Sequence, residues 1–182
     1  MIRAFIAIDL PSEIKAGLRE ISDELSLLGA KPVGIQNLHI SVLFLGDVPE
    51  QKVPQIIASM SGIKSKSFRC GVDGMYLFPS RDPRIVSCRI TMGAPELERL
   101  NGELAERIRG LGIPIEPRKF MAHLTLARCT PSTDLNSLDK LAGEAGRPKF
   151  EFLCNEIKLK SSLLSSTGAV HKDLFVRPFD VG

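Results

Sequence analysis

Apolar and polar positions follow one another along this chain in two rhythms, one with the period of a strand and one with that of a helix. Arg3 to Asp9 is an apolar, β-prone run ended by Pro11, which predicts a buried strand. Ile14, Leu18, Ile21, Leu25 and Leu28 recur at steps of three and four, which predicts a helix over Ser12–Leu28 with Ser12 as N-cap and Gly29 just past its end. A loop containing Pro32 leads to a predicted strand, Leu38–Leu45, closed by Gly46 and Asp47. Val53, Ile56, Ile57 and Met60 mark one face of a shorter helix, and Phe68–Phe78 reads as a strand bulged at Gly71 and Gly74.

The second half repeats the order. Ile85–Met92 alternates like a strand, and Glu96–Arg109 is a predicted helix with Leu97, Leu100, Leu104 and Ile108 on its inner stripe, stopped by Gly110. A loop with Pro114 and Pro117 precedes a strand at Phe120–Arg128. Leu135, Leu138 and Leu141 mark a short helix after Thr133, and two last strands are expected at Lys149–Lys160 and Ala169–Val176. Strand, long helix, proline-bearing loop, histidine-bearing strand, short helix, strand thus occurs twice. The expectation is an internally duplicated α+β domain over residues 1–182 with two similar lobes. A parallel α/β sheet is the alternative, because periodicity alone does not settle strand direction.

Composition narrows the class without changing this picture. The chain has 182 residues, 43% hydrophobic and 25% charged, as in ordinary globular proteins. A net charge of +3 permits a nucleic-acid partner without demanding one. The longest stretch free of Asp, Glu, Lys and Arg, Pro32 to Gly46, is too short for a bilayer-crossing helix and contains Gln36, Asn37 and His39. The opening apolar run is likewise too short for a secretory signal. Cys70, Cys88, Cys129 and Cys154 are widely spaced, with no C-x-x-C pair, and read as small buried hydrophobes of a reducing, cytoplasmic protein.

The chemistry concentrates in two histidine strands. His39-Ile40-Ser41-Val42-Leu43-Phe44-Leu45-Gly46 and His123-Leu124-Thr125-Leu126-Ala127-Arg128 fall at the same place in each half. Residues two apart on a strand share a face, so His39 projects with Ser41 and His123 with Thr125, each imidazole beside a hydroxyl and backed by an apolar layer. Histidine serves as acid or base near neutral pH, and a phosphoryl displacement needs one of each on opposite sides of phosphorus. Ser41 and Thr125 would donate to the non-bridging oxygens, and Arg128 would add a charge-assisted contact. Arg128 stands five residues after His123, the wrong parity for a regular strand, so it must reach the site from the strand end or past a bulge.

These blocks, with the opening Arg3-Ala4-Phe5-Ile6-Ala7-Ile8-Asp9-Leu10-Pro11, resemble the two-histidine phosphoesterase superfamily and, within it, the RNA 2′,3′-cyclic phosphodiesterases, also called 2′-5′ RNA ligases. The departure is Ser41 where threonine is commoner, which keeps the donor but frees its rotamer. The resemblance implies two antiparallel sheets facing across a cleft with helices outside. It also implies metal-independent, cofactor-free hydrolysis of an RNA 2′,3′-cyclic phosphate end, tRNA-like or other, to the 2′-phosphate. In that scheme His39 protonates the departing 3′-oxygen and His123 activates water; the residues alone, being nearly symmetric, do not assign the two roles. The reverse reaction would join a cyclic end to a 5′-hydroxyl. A monomer with no membrane or metal partner is expected.

Blander readings remain beside this one. Phe44, at the position equivalent to Arg128, reads slightly better as a core aromatic than as a face packing against base or ribose. His171 has Asp173 rather than a hydroxyl two residues on and is expected on an exposed face of the last strand. Tyr76 with Arg81, Arg84 and Arg89 reads more readily as a solvated basic loop than as an RNA guide. No P-loop, G-x-G-x-x-G or carboxylate–histidine metal set is present. The competing functions are a non-catalytic nucleotide- or RNA-binding module on the same fold and a cyclic phosphodiesterase for small nucleotides.

Overall fold

The computed structural model describes residues 1–117, 119–165 and 168–180. In chain order the elements are β1 (Ile2–Asp9), α1 (Ser12–Gly17), α2 (Arg19–Leu27), β2 (Lys31–Pro32), β3 (His39–Val48), α3 (Val53–Ser61) and β4 (Phe68–Phe78). Then follow β5 (Ile85–Met92), α4 (Ala94–Gly110), β6 (His123–Arg128), α5 (Leu135–Ala142), β7 (Lys149–Cys154), β8 (Glu156–Ser165) and β9 (Gly168–Pro178). Among the described residues the nine strands make one curled sheet, ordered β7-β4-β5-β6-β3-β1-β8-β9 with the short β2 on β6. Every pairing between these strands is antiparallel, so the parallel alternative is excluded.

The two facing sheets that the resemblance implies are two halves of this one sheet. They meet at β3 and β6 through a single registered pair, Ile40 opposite Leu124. Outward from that seam each half runs through matching strands, with β1 answering β5, β8 answering β4 and β9 answering β7. Hydrophobic burial holds one face. Ile40 and Leu124 are fully buried there with Ile6, Ile8, Val86 and Cys88, under the helices. Leu97, Leu100, Leu104 and Ile108, the stripe read from the sequence, are all fully buried, each worth about 1.5–3 kcal/mol of transfer free energy. The helix that carries them starts at Gly93, whose φ of 81° and 2.7 Å approach of a hypothetical Cβ to the Arg69 carbonyl exclude any other residue without strain.

Several boundaries differ from the sequence expectation. The Ser12–Leu28 helix is broken at Leu18 into α1 and α2, and Pro11 rather than Ser12 occupies the N-cap position. Gly46 and Asp47 do not end β3. Gly46 takes φ 69° and is absorbed as an irregularity of the pairing with β1. The histidine strand of the second half starts at His123 rather than Phe120; α5 follows Thr133 as expected, capped by Asp134, whose side chain accepts from Ser137 N. The run Lys149–Lys160 is two strands, β7 and β8, that belong to opposite halves of the sheet. The break is at Asn155, whose carbonyl accepts from Phe179 N at 2.7 Å. The expected irregularities at Gly71 and Gly74 are present in the β4–β5 register.

Candidate active site

The two motif strands carry one burial pattern. Over His39–Phe44 and again over His123–Arg128, half-buried and buried positions alternate, then two buried residues stand in succession, then comes an exposed one. The paired buried residues mark a bulge in each strand. β1 runs from Ala7 opposite Ser41 to Ile6 opposite Leu43, leaving Val42 extra; β5 runs from Ser87 opposite Thr125 to Val86 opposite Ala127, leaving Leu126 extra. A bulge inserts one residue and flips the parity beyond it. Phe44 therefore shares the face of His39 and Ser41, and Arg128 that of His123 and Thr125, which resolves the parity difficulty. The carbonyls of the two extra residues are both bonded: Val42 O accepts from Asn101 Nδ2 at 2.7 Å, and Leu126 O from Val33 N, next to β2, at 2.7 Å.

The seam brings the motifs together. With Ile40 opposite Leu124 on the core face, antiparallel register sets His39 beside Thr125 and Ser41 beside His123 on the other face. The rings are also held alike. His39 Nδ1 donates to the Asn37 carbonyl at 2.6 Å, and His123 Nδ1 donates to the Met121 carbonyl at 2.8 Å. A carbonyl only accepts, so each ring carries a proton on Nδ1, and in the Nδ1–H tautomer Nε2 is the acceptor. His39 Nε2 accepts from Ser41 Oγ at 3.0 Å. Burial holds the His39 imidazolium down to a pKa of about 4, against the raising effect of the Asn37 carbonyl, and the neighbouring His171 lowers it further.

His171 is a residue that sequence reasoning misplaced. It is half-buried, edge-on to His39 with ring centroids 5.3 Å apart and edge-on to Phe5 at 4.9 Å. It arrives through the β8–β9 register, Ser162 opposite His171, which no local motif reveals. Beside it lies an ion network that the sequence did not announce. Lys160 Nζ meets Asp9 at 2.9 Å and Asp173 at 2.5 Å, and Lys158 Nζ meets Asp9 at 3.1 Å, Asp173 at 3.2 Å and Glu156 at 3.3 Å. Asp9 is registered opposite His39. Phe44 is 66% exposed, so the core-aromatic reading is overturned: the Val42 bulge turns it outward, 6.3 Å from Phe5. Arg89 lies over the Tyr76 ring at 5.6 Å, and Arg84 pairs with Asp82 at 3.2 Å. The four cysteines are unpaired; Cys70, Cys88 and Cys154 are buried as expected, whereas Cys129 is only half-buried.

The family model for LigT-like phosphoesterases matches residues 8–86 and 91–171, one histidine motif in each stretch. The chain belongs to this family. It is 32% identical to an RNA 2′,3′-cyclic phosphodiesterase of Archaeoglobus fulgidus, over 96% of this chain and 99% of the relative. An enzyme of the same name from Thermotoga maritima is 31% identical over 100% of this chain and 97% of its own. Among solved structures, the TT0787 protein of Thermus thermophilus superposes with a TM-score of 0.80 at 27% identity, covering 98% of both chains. The Escherichia coli LigT structure complexed with 3′-AMP shares the fold, with a TM-score of 0.83 at 22% identity over 98% of both chains. Like those phosphoesterases, this chain is a curled antiparallel sheet; among its described residues no helix is long and apolar enough to cross a membrane.

Proposed function

We propose that this LigT-like phosphoesterase is an RNA 2′,3′-cyclic phosphodiesterase that works by paired-histidine acid–base catalysis, without a metal ion. The observation that carries the reading is the Ile40–Leu124 rung, which sets two carbonyl-pinned imidazoles and two hydroxyls on one face. The names of the relatives at about 30% identity support the substrate class.

In the proposed reaction His123 Nε2 takes a proton from water as its oxygen bonds to phosphorus. The bond from phosphorus to O3′ breaks, O3′ takes a proton from His39 Nε2, and a 2′-phosphomonoester remains. Thr125, Ser41 and Arg128 hold the non-bridging oxygens, where negative charge grows. His39 is neutral in the free protein at neutral pH. The bound phosphate anion is what returns a proton to it, and protonation of Nε2 then releases the Ser41 hydroxyl towards that anion. Phe44 offers a face to base or ribose. The same steps with a 5′-hydroxyl in place of water join the cyclic end to that hydroxyl through a 2′-5′ phosphodiester. The two lobes act as one catalytic unit within a monomer, each supplying one motif, and the unpaired cysteines suit the cytoplasm.

The test uses short RNA with a 2′,3′-cyclic phosphate end, with products identified by phosphorus NMR in the presence of a chelator. Wild-type protein should yield the 2′-phosphate, and His39→Ala and His123→Ala should each lower turnover by roughly 10²–10⁴ with the fold intact. Near wild-type turnover in both variants would overturn the assignment. Saturable binding without turnover would favour the binding-module reading.

A further inference from the structure

The two halves of the site face are matched in backbone and opposite in charge state. In the first half, the cations nearest the motif, Lys158 and Lys160, are neutralised within the protein by Asp9 and Asp173. The register of the second half places Tyr76 where the first has Lys158, Phe78 where it has Lys160, and Arg89 where it has Asp9. Neither Arg89 nor Arg128 makes a salt bridge or side-chain hydrogen bond among the described residues; Arg89 lies over the Tyr76 ring face, 5.6 Å from its centroid. Paired residues of a sheet share a face. Tyr76, Ser87 and Thr125 therefore form one row across β4, β5 and β6, and Phe78, Ile85 and Arg128 form the next. Phe78 is 44% exposed, and Ser87 Oγ, in the middle of its row, is buried with no hydrogen-bond partner among the described residues.

We infer that this second-half face, Arg89 with Tyr76, Phe78 and Ser87, is the track for the single-stranded RNA that precedes the cyclic phosphate. Arg89 takes the phosphodiester on the 5′ side of the terminal nucleotide, and Tyr76 and Phe78 pack against its bases. The spacing suits this: the aromatic column on β4 lies two strands from the histidine column on β6, roughly 10 Å, about the reach of one nucleotide. Arginine beside exposed aromatics is what a single strand selects, charge for its backbone and ring faces for its bases. The orphaned Ser87 hydroxyl offers a partner to a ribose oxygen. The first-half face offers its charges to no one, so the strand has one direction in which to leave the site.

This inference rests on the proposed function, and two measurements keep them apart. One compares kcat/KM on a nucleoside 2′,3′-cyclic phosphate with that on a four-nucleotide RNA ending in the same group. The other measures equilibrium binding of that RNA against salt, which needs no turnover. Arg89→Gln and Phe78→Ala should each lower the preference for the oligonucleotide about tenfold. Arg89→Gln should also reduce the slope of log K against log salt by about one, while Lys140→Gln on α5 changes neither quantity. An unaltered preference and slope in Arg89→Gln and Phe78→Ala overturn the track. If the wild type turns over neither substrate yet binding keeps its Arg89-dependent slope, the enzymatic reading fails and the track stands.

Discussion

The side-chain amide of Asn101 reaches from α4 to the carbonyl of Val42, 2.7 Å away, and so ties the long helix to the bulge that turns Phe44 outward. Asn101 is a positioning residue. It is none of the groups proposed to react, but it donates to the carbonyl of the extra residue in β3. Asn101→Ala should cost about 1–2 kcal/mol in chemical denaturation, the price of a buried acceptor left unpaired. It should lower kcat more than KM, since Ser41 and Phe44 flank the bulge. A stability loss with kcat unchanged would limit Asn101 to a structural role.

Acid should destabilise this protein through His39. The unfolded imidazole binds a proton near pH 6.5 and the folded one only near 4. Between those values the unfolded chain holds more protons, so the contribution of His39 is full above about pH 6.5 and is lost as pH falls towards 4. The loss is about 3–4 kcal/mol at most, from 1.4 kcal/mol per pKa unit. Urea denaturation at pH 7, 5.5 and 4.5 should show this slope in the wild type and a flatter one in His39→Gln.

His171 sets part of that proton affinity. When protonated, its charge opposes a proton on His39, although burial lowers its own proton affinity too, and its ring packs on both His39 and Phe5. His171→Phe keeps the aromatic packing and removes the charge, so the His39 titration followed by imidazole NMR should move to higher pH. Addition of a nucleoside 2′-phosphate should raise it further in both proteins. A His39 midpoint unmoved by either change would show that burial alone governs the ring.

The ion network should be intolerant of losing an acid. Lys160 has a side chain only 9% exposed and depends on Asp9 and Asp173. Asp9→Asn leaves that buried ammonium with half its compensation and should cost about 2 kcal/mol. Lys160→Met, which leaves Asp9 and Asp173 paired to Lys158, should cost less. Thermal unfolding of both variants decides, and equal losses would mean that packing rather than charge is what the site requires.

Much of this architecture was legible in the sequence because local signals carried it. The α4 stripe and the histidine-bearing strands come from spacing alone, and the parity of Arg128 already demanded a strand end or a bulge. What failed depended on partners distant in the chain. Nothing in Lys149–Lys160 marks Asn155, since the break exists only because the strands on either side pair with different halves of the sheet. His171 lacks the hydroxyl that flagged the other two rings, and its place follows from the hairpin register at Ser162. Phe44 was misjudged because an apolar run hides the residue at which a strand gains an extra position. Asn101, a polar residue within an otherwise regular helix, gave no hint that a bulged carbonyl waited across the core.

The strand order has a consequence for dissection. β4 belongs by sequence to the first half of the chain but lies beyond β5 in the second half of the sheet, while β8 and β9, last in the chain, complete the side begun by β1 and β3. The two sides of the sheet are thus interlaced along the chain. Cutting at the Ser80–Pro83 turn would leave each fragment with an exposed sheet edge whose natural neighbour sits on the other polypeptide, so the severed pieces should recover order when mixed and neither should do so by itself.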